Sequence, residues 1–331
     1  MSLISRRTLL KGTIATAGLA ILNPAHITQA QLFGLFGGKG QETPPITSNP
    51  DFYVTSYDIT PEIDLTQWSL EIKGMVKQPL TFTFAELTKR PQTKMIATLE
   101  CIGNTVGGFS IGTAEWEGVR MNSLLEEAGS DPKSLDLVLR GADGYSDSFP
   151  FARAMENDVL LATKMNGVPL PPNHGFPARV IVPGIYGMKN VKWLTELELV
   201  NYDYKGHWQQ QSWSDEALVK LSSRIDLPGD RETITTARYT MKGIAFNGRH
   251  TIQKIEVSTD AGKSWQEGTI LPKLSLHTWT PWTYEWTIPK SGEYTIMARA
   301  TNETGLPQPL NPKQSQDKTL EIHAITVNVE L

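Results

Sequence analysis

The pattern of apolar and polar residues changes after about residue 205. Between residues 51 and 205, alternating runs such as WSLEIKGMV are mixed with short helical patterns such as TFAELTKRP, in which Thr83 is the expected N-cap and Pro91 the stop. Alternation predicts half-buried strands, and an apolar period near 3.6 predicts helices. Short helices among short strands favour an α+β domain over 51–205 rather than a regular βαβ series.

Three further segments of this region carry clear signals. MNSLLEEAGSDP predicts a helix with Asn122 as its N-cap and Gly129 just past its end. LDLVLRGADGY predicts a strand that enters a turn. HGFPARVIVPGIYGMKNVKWLTELELV predicts strands at 178–182 and 191–200, with a glycine-rich loop between them.

Residues 232–331 have an all-β pattern. In YTIMARATNETG, one face of the predicted strand carries Tyr294, Ile296, Ala298 and Ala300, and the residues between them form the other face. Turn signals recur at the spacing typical of a β-sandwich. The polar stretch 206–231, which contains Pro228 and Gly229, predicts a connection between the two domains.

The amino-terminal region predicts export. Arg6, Arg7 and Lys11 precede an apolar run at 14–22, and small residues follow near Ala30. This order is typical of a signal peptide, and the paired arginines indicate the twin-arginine route, so we expect residues 1–30 to direct the chain to the periplasm. A membrane anchor is the alternative, but the run is short and interrupted by glycine. Residues 31–50, rich in Gly, Pro and polar residues, predict a linker or an extended arm.

Charge and cysteine content narrow the chemistry. Residues 1–30 contain three cations and no acid, so their removal takes the formal charge from -4 to -7. An acidic chain offers no electrostatic case for binding nucleic acid. Cys101 is the only cysteine, which excludes an intramolecular disulfide and leaves an inert side chain, a nucleophile or a metal ligand. Its position in ECIGN, beside glycine, would let a metal's other ligands approach.

Three common kinds of site have little support: a serine nucleophile, a histidine metal site and a nucleotide-binding loop. The sequence GFSIG at 108–112 matches a nucleophile elbow around Ser110, with Asp143 and His174 in hydrolase order, but it lacks the expected preceding strand and following helix. The six histidines show no metal-ligand spacing, and neither a Walker A motif nor G-x-G-x-x-G behind a strand is present.

A cluster of cations is more informative. His174, Arg179, Lys189 and Lys192 fall within a short stretch whose intervening residues are largely apolar. A buried cation needs an anionic partner, and arginine is suited to bidentate phosphate recognition. This stretch therefore predicts either an anion-binding site or, as the alternative, a solvated basic rim.

LECIGN, the stretch from Gly144 to Trp208 and the β domain together resemble the sulfite-oxidase-type molybdopterin-dependent oxidoreductases, over nearly all of 51–331. In that family one molybdopterin dithiolene and one cysteine thiolate hold molybdenum, and Cys101 matches the cysteine. The resemblance makes the second domain an immunoglobulin-like dimerisation domain, which leaves a homodimer open. The twin-arginine signal is compatible with a cofactor inserted before export.

The family's other site residues can be carried over by position. His174 and Arg179 match its pterin-binding motif H-G-x-P-x-R, and Tyr204 matches a tyrosine beside the metal, a candidate for hydrogen bonding or proton transfer. The remaining candidates are the segment that closes over the cofactor phosphate, the aromatic segment that contacts the pterin, and one nearby contact: Asn190, Val191 and Lys192; Phe52, Tyr53 and Val54; and Asp143.

Departures from the family weaken the expectation of sulfite itself. Thr105 stands where the family usually has arginine after C-x-G-N, and Thr55-Ser56-Tyr57 replaces an Arg-Asn-His-like triplet. The resemblance therefore implies transfer of an oxygen atom to or from a sulfur-type substrate. The alternatives are a methionine-sulfoxide-type S-oxide reductase on the same scaffold and an exported binding protein without catalysis. No C-x-x-C-H haem signature is present, so a separate redox partner, such as a cytochrome or quinone-linked protein, is expected.

Overall fold

The structure is a computed structural model that describes residues 40–308 and 321–331. The predicted export signal and most of the predicted arm lie outside the described residues. Three short helices occur in the described part, α1 (Phe84–Lys89), α2 (Met121–Glu127) and α3 (Phe151–Ala154). No helix in the part of the chain that the structure describes is long and apolar enough to cross a membrane.

Ten strands build the first domain as two sheets. One sheet has the order β2-β1-β10-β5-β6, with only the β1–β10 pair parallel, and the other has the order β3-β4-β7-β8, with β9 beside β7. These strands are β1 (Ser69–Gly74), β2 (Leu80–Thr83), β3 (Thr93–Glu100), β4 (Ile111–Arg120), β5 (Asp136–Gly141), β6 (Ser146–Pro150), β7 (Leu160–Met165), β8 (Val168–Pro169), β9 (Arg179–Ile181) and β10 (Leu194–Val200).

The predicted N-cap is confirmed for one helix and wrong for another. Thr83 caps α1 with a reciprocal capping box, in which its hydroxyl accepts from the Glu86 N–H and the Glu86 carboxylate accepts from the Thr83 N–H. The prediction that Asn122 caps α2 is wrong. The chain passes from β4 directly into the helix after Arg120, and Asn122 lies inside it, donating to Asn157. The buried Met121 pins that start, because its N–H donates to the Val159 carbonyl.

The second domain is a sandwich of a four-stranded and a five-stranded sheet, ordered β11-β13-β17-β16 and β12-β19-β18-β14-β15. In β18 the predicted inner face is confirmed, since Ile296, Ala298 and Ala300 are fully buried. The strands are β11 (Ser222–Leu227), β12 (Thr233–Ile234), β13 (Arg238–Phe246), β14 (Ile252–Ser258), β15 (Gln266–Glu267), β16 (Thr269–Ile270), β17 (Thr280–Thr287), β18 (Gly292–Asn302) and β19 (His323–Val329).

The structure begins this domain earlier than the sequence suggested. Strand β11 falls inside the stretch 206–231 expected to be a connection, and it pairs antiparallel with β13. Its buried residues include Ser223, Arg224 and Asp226, whose polarity hid the strand pattern. The two domains also share one hydrophobic core, because Ile244, Phe246 and Trp279 pack with the buried side chains of the first domain.

Residues 40–50 run as a strap across both domains. At the β domain, the Gly40 N–H donates to Glu232 and the Thr43 N–H donates to Asp226. At the first domain, the Thr47 N–H donates to the Thr113 carbonyl at 2.8 Å. The strap thus enters the first domain beside the predicted cofactor residues.

Ser110 does not form a nucleophile elbow. It follows a loop rather than a strand, and strand β4 rather than a helix comes after it. The structure therefore removes the hydrolase interpretation.

Candidate functional site

Cys101 lies at the end of β3, where the chain enters a tight loop. Its N–H donates to the Ser110 carbonyl and its own carbonyl accepts from the Asn104 N–H, both at 2.9 Å. Burial raises the pKa of the Cys101 thiol, and this outweighs the opposing hydrogen bonds from the Gly103 N–H and the Thr55 hydroxyl. Without a metal the sulfur therefore keeps its proton, and a metal cation in that place would hold it as thiolate.

Cys101 has no cluster of further metal-ligating side chains around it among the described residues. No group of three or more His, Cys, Asp or Glu side chains in residues 40–308 and 321–331 is arranged to hold a metal ion. The resemblance asks for only one protein ligand, and Cys101 is placed to supply it.

Arg179 is the centre of a buried cationic cluster. It begins β9, and its two terminal nitrogens donate to the His174 and Asn190 carbonyls, each at 3.1 Å. Its guanidinium carbon lies 5.2 Å from the centre of the Trp116 ring, while its Nε is buried without a hydrogen-bond partner among the described residues. Burial lowers the pKa of Arg179 to about 10, because no carboxylate among the described residues lies close enough to offset the loss of hydration.

Lys192 adds a second cation to this cluster. Its Nζ donates to the Ser56 hydroxyl at 2.9 Å and to the Asn173 carbonyl at 3.1 Å, and it lies 4.2 Å from the centre of the Trp193 ring. Burial and then the charge of Arg179 lower the pKa of Lys192 to about 7, against the weaker opposing influence of Asp143. Burial in turn raises the pKa of Asp143.

His174 completes the cluster as a neutral group. Burial lowers its pKa to about 4. Its Nε2 lies 2.9 Å from the Asn49 carbonyl, which can only accept, so Nε2 carries the proton and Nδ1 keeps a lone pair. Gly175, at φ +108°, turns the chain sharply here, and a Cβ on it would lie 3.1 Å from the Cβ atoms of both Arg179 and Lys192.

The cluster fits the phosphate of a molybdopterin. It contains two cations whose pKa values are both depressed, and a buried guanidinium N–H that has no acceptor among the described residues. An anion at that place would accept from the N–H and restore both pKa values. The donor set therefore lacks the negative charge that the cofactor would bring.

The aromatic segment, Phe52 to Val54, and the three residues after it join this cluster to the cysteine. The buried rings of Phe52 and Tyr53 stack with centroids 5.3 Å apart, and Phe52 also packs edge-on against His174. Burial raises the pKa of Tyr53. Beyond the half-buried Val54, Thr55 reaches the thiol and Ser56 reaches Lys192.

Asn190 and Val191 shape the loop rather than present free polar groups. The Asn190 side chain accepts from the Val182 N–H at 2.7 Å and donates to the Tyr186 carbonyl. The Val191 carbonyl accepts from the Val180 N–H at 3.0 Å, and its side chain is buried. Their contribution to a bound cofactor would come from the backbone they hold in place.

Two predicted contacts differ in the structure. Lys189 does not belong to the cationic cluster, because its Nζ bonds to Asp147 at 3.0 Å and to Asp215 at 3.1 Å. The Tyr204 hydroxyl lies 2.7 Å from the Ser146 hydroxyl and 3.4 Å from a nitrogen of Arg140, so its described contacts are with the β5–β6 hairpin rather than with Cys101. A catalytic role for Tyr204 stays a prediction.

Sequence reasoning also missed contributors to the site. Thr55 and Ser56 were treated only as departures, yet they contact the thiol and Lys192. Tyr57 follows them and packs against Tyr145 and His207, with ring centroids 5.6 and 4.7 Å away. Their position directly after the aromatic segment was the available signal.

Two family models match the chain. The oxidoreductase molybdopterin binding domain matches residues 57–208, and the Mo-co oxidoreductase dimerisation domain matches residues 216–320. The chain therefore belongs to the sulfite-oxidase-type molybdopterin-dependent oxidoreductase family, and the predicted fold class, an α+β cofactor domain followed by an immunoglobulin-like sandwich, is confirmed.

Individual relatives agree with this family. Mitochondrial sulfite oxidase from Homo sapiens is 30% identical over 306 residues, a match that covers 78% of this chain and 56% of that protein. Nitrate reductase [NAD(P)H] from Hordeum vulgare is 31% identical over 67% of this chain and 31% of its own length. The chain thus spans little more than half the length of the curated sulfite oxidases it matches.

A solved structure is similar along almost the whole chain. The sulfane dehydrogenase SoxCD from Paracoccus pantotrophus has a TM-score of 0.76 at 25% identity, and the match covers 98% of this chain and 96% of that one.

Proposed function

We propose that this protein is a molybdopterin-dependent oxidoreductase that moves one oxygen atom to or from sulfur in a small substrate. The observation that carries the proposal is the junction at 52–57, where one short segment contacts both the Cys101 sulfur and the uncompensated cation Lys192. A single thiol and a cation without a carboxylate partner among its described contacts, both touched by one segment, match what this cofactor requires.

The chain's own residues would bind and orient the cofactor. Cys101 would supply the thiolate, Arg179 and Lys192 would bind the phosphate, and His174 would offer the Nδ1 lone pair to a pterin N–H. When bound, the cofactor supplies two-electron oxygen-atom transfer, while the protein sets position and charge. Tyr204 is proposed as a positioning or proton-holding group, with its hydroxyl kept in place by Ser146.

Two observations support the substrate class: the names of the similar proteins, and the replacement of an expected arginine by Thr55. A sulfite oxidase and a sulfane dehydrogenase are among the similar proteins, which supports oxidation of reduced sulfur. In such a reaction sulfite and water give sulfate, two protons and two electrons, and the electrons leave to a separate carrier protein. Thr55 replaces an expected arginine, so the binding of a small dianion depends on fewer charge-assisted bonds.

A second candidate rests on that same replacement. Two residues after Thr55, the ring of the exposed Tyr57 packs against the rings of Tyr145 and His207. Aromatic faces favour thioether-like sulfur over a hydrated dianion. The candidate reaction is reduction of a sulfoxide by two electrons and two protons to a thioether and water, with a separate protein as the electron donor.

Steady-state turnover tests the proposal and separates the two candidates. The purified chain would be assayed with sulfite and ferricyanide, and with a panel of sulfoxides and reduced viologen. Cys101→Ala should abolish either activity while the circular dichroism spectrum is retained. Full activity in that variant, with molybdenum still bound, would refute the proposed role of the thiol.

Location and assembly complete the proposal. The paired arginines at residues 6 and 7 support periplasmic export, and the match to a dimerisation domain supports a homodimer. Cell fractionation of the wild type and an Arg6→Lys/Arg7→Lys variant tests the first, and sedimentation tests the second. A chain free of molybdenum from cells supplied with molybdate would favour the non-catalytic binding protein.

A further inference from the structure

The loop that follows Cys101 leans on the β domain. Arg224 on strand β11 donates from one terminal nitrogen to the Gly108 carbonyl at 2.7 Å, and its guanidinium carbon lies 4.8 Å from the centre of the Phe109 ring. Gly107, at φ +70°, faces His323 of strand β19 so closely that a Cβ would lie 2.3 Å from its Nε2. Three consecutive loop residues thus meet two strands of the second domain.

Arg224 is itself held firmly. Its Nε donates to Asp226 at 2.7 Å, and its other terminal nitrogen bonds to the Thr43 hydroxyl of the strap at 40–50. The side chain is buried, and all three of its nitrogens are engaged. A guanidinium has donors enough to serve a carboxylate, a hydroxyl and a carbonyl at once, whereas an ammonium lacks that planar fork.

The other end of the loop leads directly to the thiol. Ser110 accepts from the Cys101 N–H through its carbonyl, and its own N–H donates to the Asn104 side chain at 3.0 Å. The Asn104 amide donates to Glu100 at 2.9 Å. The N–H and the carbonyl of Cys101 are therefore hydrogen-bonded to Ser110 and Asn104. These two residues lie on either side of Gly108, whose carbonyl Arg224 binds.

Side-chain packing does not fill the space between the loop and the β domain. A small cleft, partly open to solvent, lies there, lined by Glu100, Asn104, Gly107, Arg224 and Phe246 among others. A loop beside a cleft loses packing contacts, so its position depends on the directional contacts that cross the gap.

We propose that Arg224 is a positioning residue for the Cys101 thiol, acting from the β domain through the Gly108 carbonyl and the Phe109 ring. The second domain would then do more than support assembly, because it fixes the backbone on which the metal ligand lies. This inference deepens the proposed function, but one of its tests does not need the cofactor.

The cofactor-independent test is alkylation of the single thiol. In full-length chain purified from cells grown without molybdate, Arg224→Gln should raise the rate of Cys101 modification by iodoacetamide about tenfold or more, because the loop opens more often. Arg224→Lys should give an intermediate rate. The matched control is Arg299→Gln, since Arg299 also pairs with a carboxylate, Glu256, and covers an aromatic ring, Trp265, entirely within the β domain. Its alkylation rate should equal that of the wild type.

The second test reads the metal environment. In the molybdenum-loaded chain, Arg224→Gln should broaden the Mo(V) electron paramagnetic resonance spectrum, whereas Arg299→Gln should not. If Arg224→Gln does not fold, Phe109→Leu removes the aromatic partner from the loop side and should shift both readouts in the same direction by a smaller amount. Folded variants at both positions with wild-type alkylation and wild-type spectra would overturn the proposal. A chain without molybdenum would defeat the proposed function and leave the alkylation test intact.

Discussion

Two lysines close together in the chain, the fully buried Lys189 and the half-buried Lys192, differ in how their charge is balanced. Lys189 is fully buried and bonds to Asp147, to Asp215 and to the Ser148 carbonyl. Lys192 and its neighbour Arg179 have hydroxyl and carbonyl acceptors in contact, and among the residues that the structure describes no carboxylate bonds to either. The chain therefore balances one charge internally and leaves the other two unbalanced.

The difference distinguishes structural charge from ligand-binding charge. The Lys189 network ties the loop at 187–190 to strand β6 and to the segment that leads into the β domain, where Asp215 also bonds to Lys205. Such a network holds its elements together whether or not a ligand is present. The cluster of Arg179 and Lys192 lowers stability until an anion arrives, so its charges make sense as part of a binding site.

The largest predicted effect comes from removing the cation of the Lys189 network, in which the charges are balanced. Lys189→Met should lower the free energy of unfolding by about 3–5 kcal/mol, because it strands the buried Asp147 carboxylate without its cation. The loss should be similar in cofactor-free and cofactor-loaded chain, as measured by chemical denaturation. A loss of stability seen only in the cofactor-loaded chain would instead indicate that Lys189 takes part in binding the cofactor.

A smaller effect should appear on the unbalanced side. Arg179→Lys should weaken retention of the cofactor about tenfold, or about 1.4 kcal/mol, since lysine cannot reproduce the planar fork. The molybdenum content after dialysis measures this, with Arg299→Lys as the matched control. Stability of the cofactor-free chain should fall by less than in Lys189→Met. Unchanged retention would contradict the placement of the phosphate.

The smallest effect concerns Lys192 and pH. The folded chain releases the Lys192 proton near pH 7, whereas the unfolded chain keeps it up to its ordinary pKa of 10.5. Between these values the unfolded state binds more protons, so this residue's contribution to the stability of the cofactor-free chain rises with pH and is smallest below pH 7. Relative to Lys192→Met, the wild type should gain about 1 kcal/mol between pH 7 and 10, less than the whole pKa displacement implies because the side chain is partly exposed. If the free energy of unfolding changed with pH in the same way for both chains, Lys192 would carry no unbalanced charge in the cofactor-free protein.

Much of the fold could be read from local patterns. The N-cap at Thr83 and the alternation in β18 depend on neighbouring residues alone, and both are present as predicted. Strand β11 could not be read this way, because Arg224 and Asp226 are polar residues buried by contacts with the strap and with the Cys101 loop. The start of α2 was misplaced because a strand leads directly into the helix, leaving no loop in which Asn122 could act as cap.

The sequence indicated which residues form the site better than it indicated which of them contact one another. His174, Arg179 and Lys192 do come together around Gly175, as their spacing suggested. Lys189 has the same charge and the same neighbourhood in sequence, and only the approach of Asp147 and Asp215 from distant segments gives it a different role. The bond from Thr55 to Cys101 likewise depends on how the chain folds back on itself.

The central claim is that the protein's one thiol ligates a molybdenum held by a pterin in the neighbouring cationic cluster. X-ray absorption at the molybdenum edge, on the wild type and on Cys101→Ser, tests it most directly. The variant should keep the dithiolene sulfurs and lose one further sulfur ligand. The same number of sulfur ligands in both proteins would contradict it.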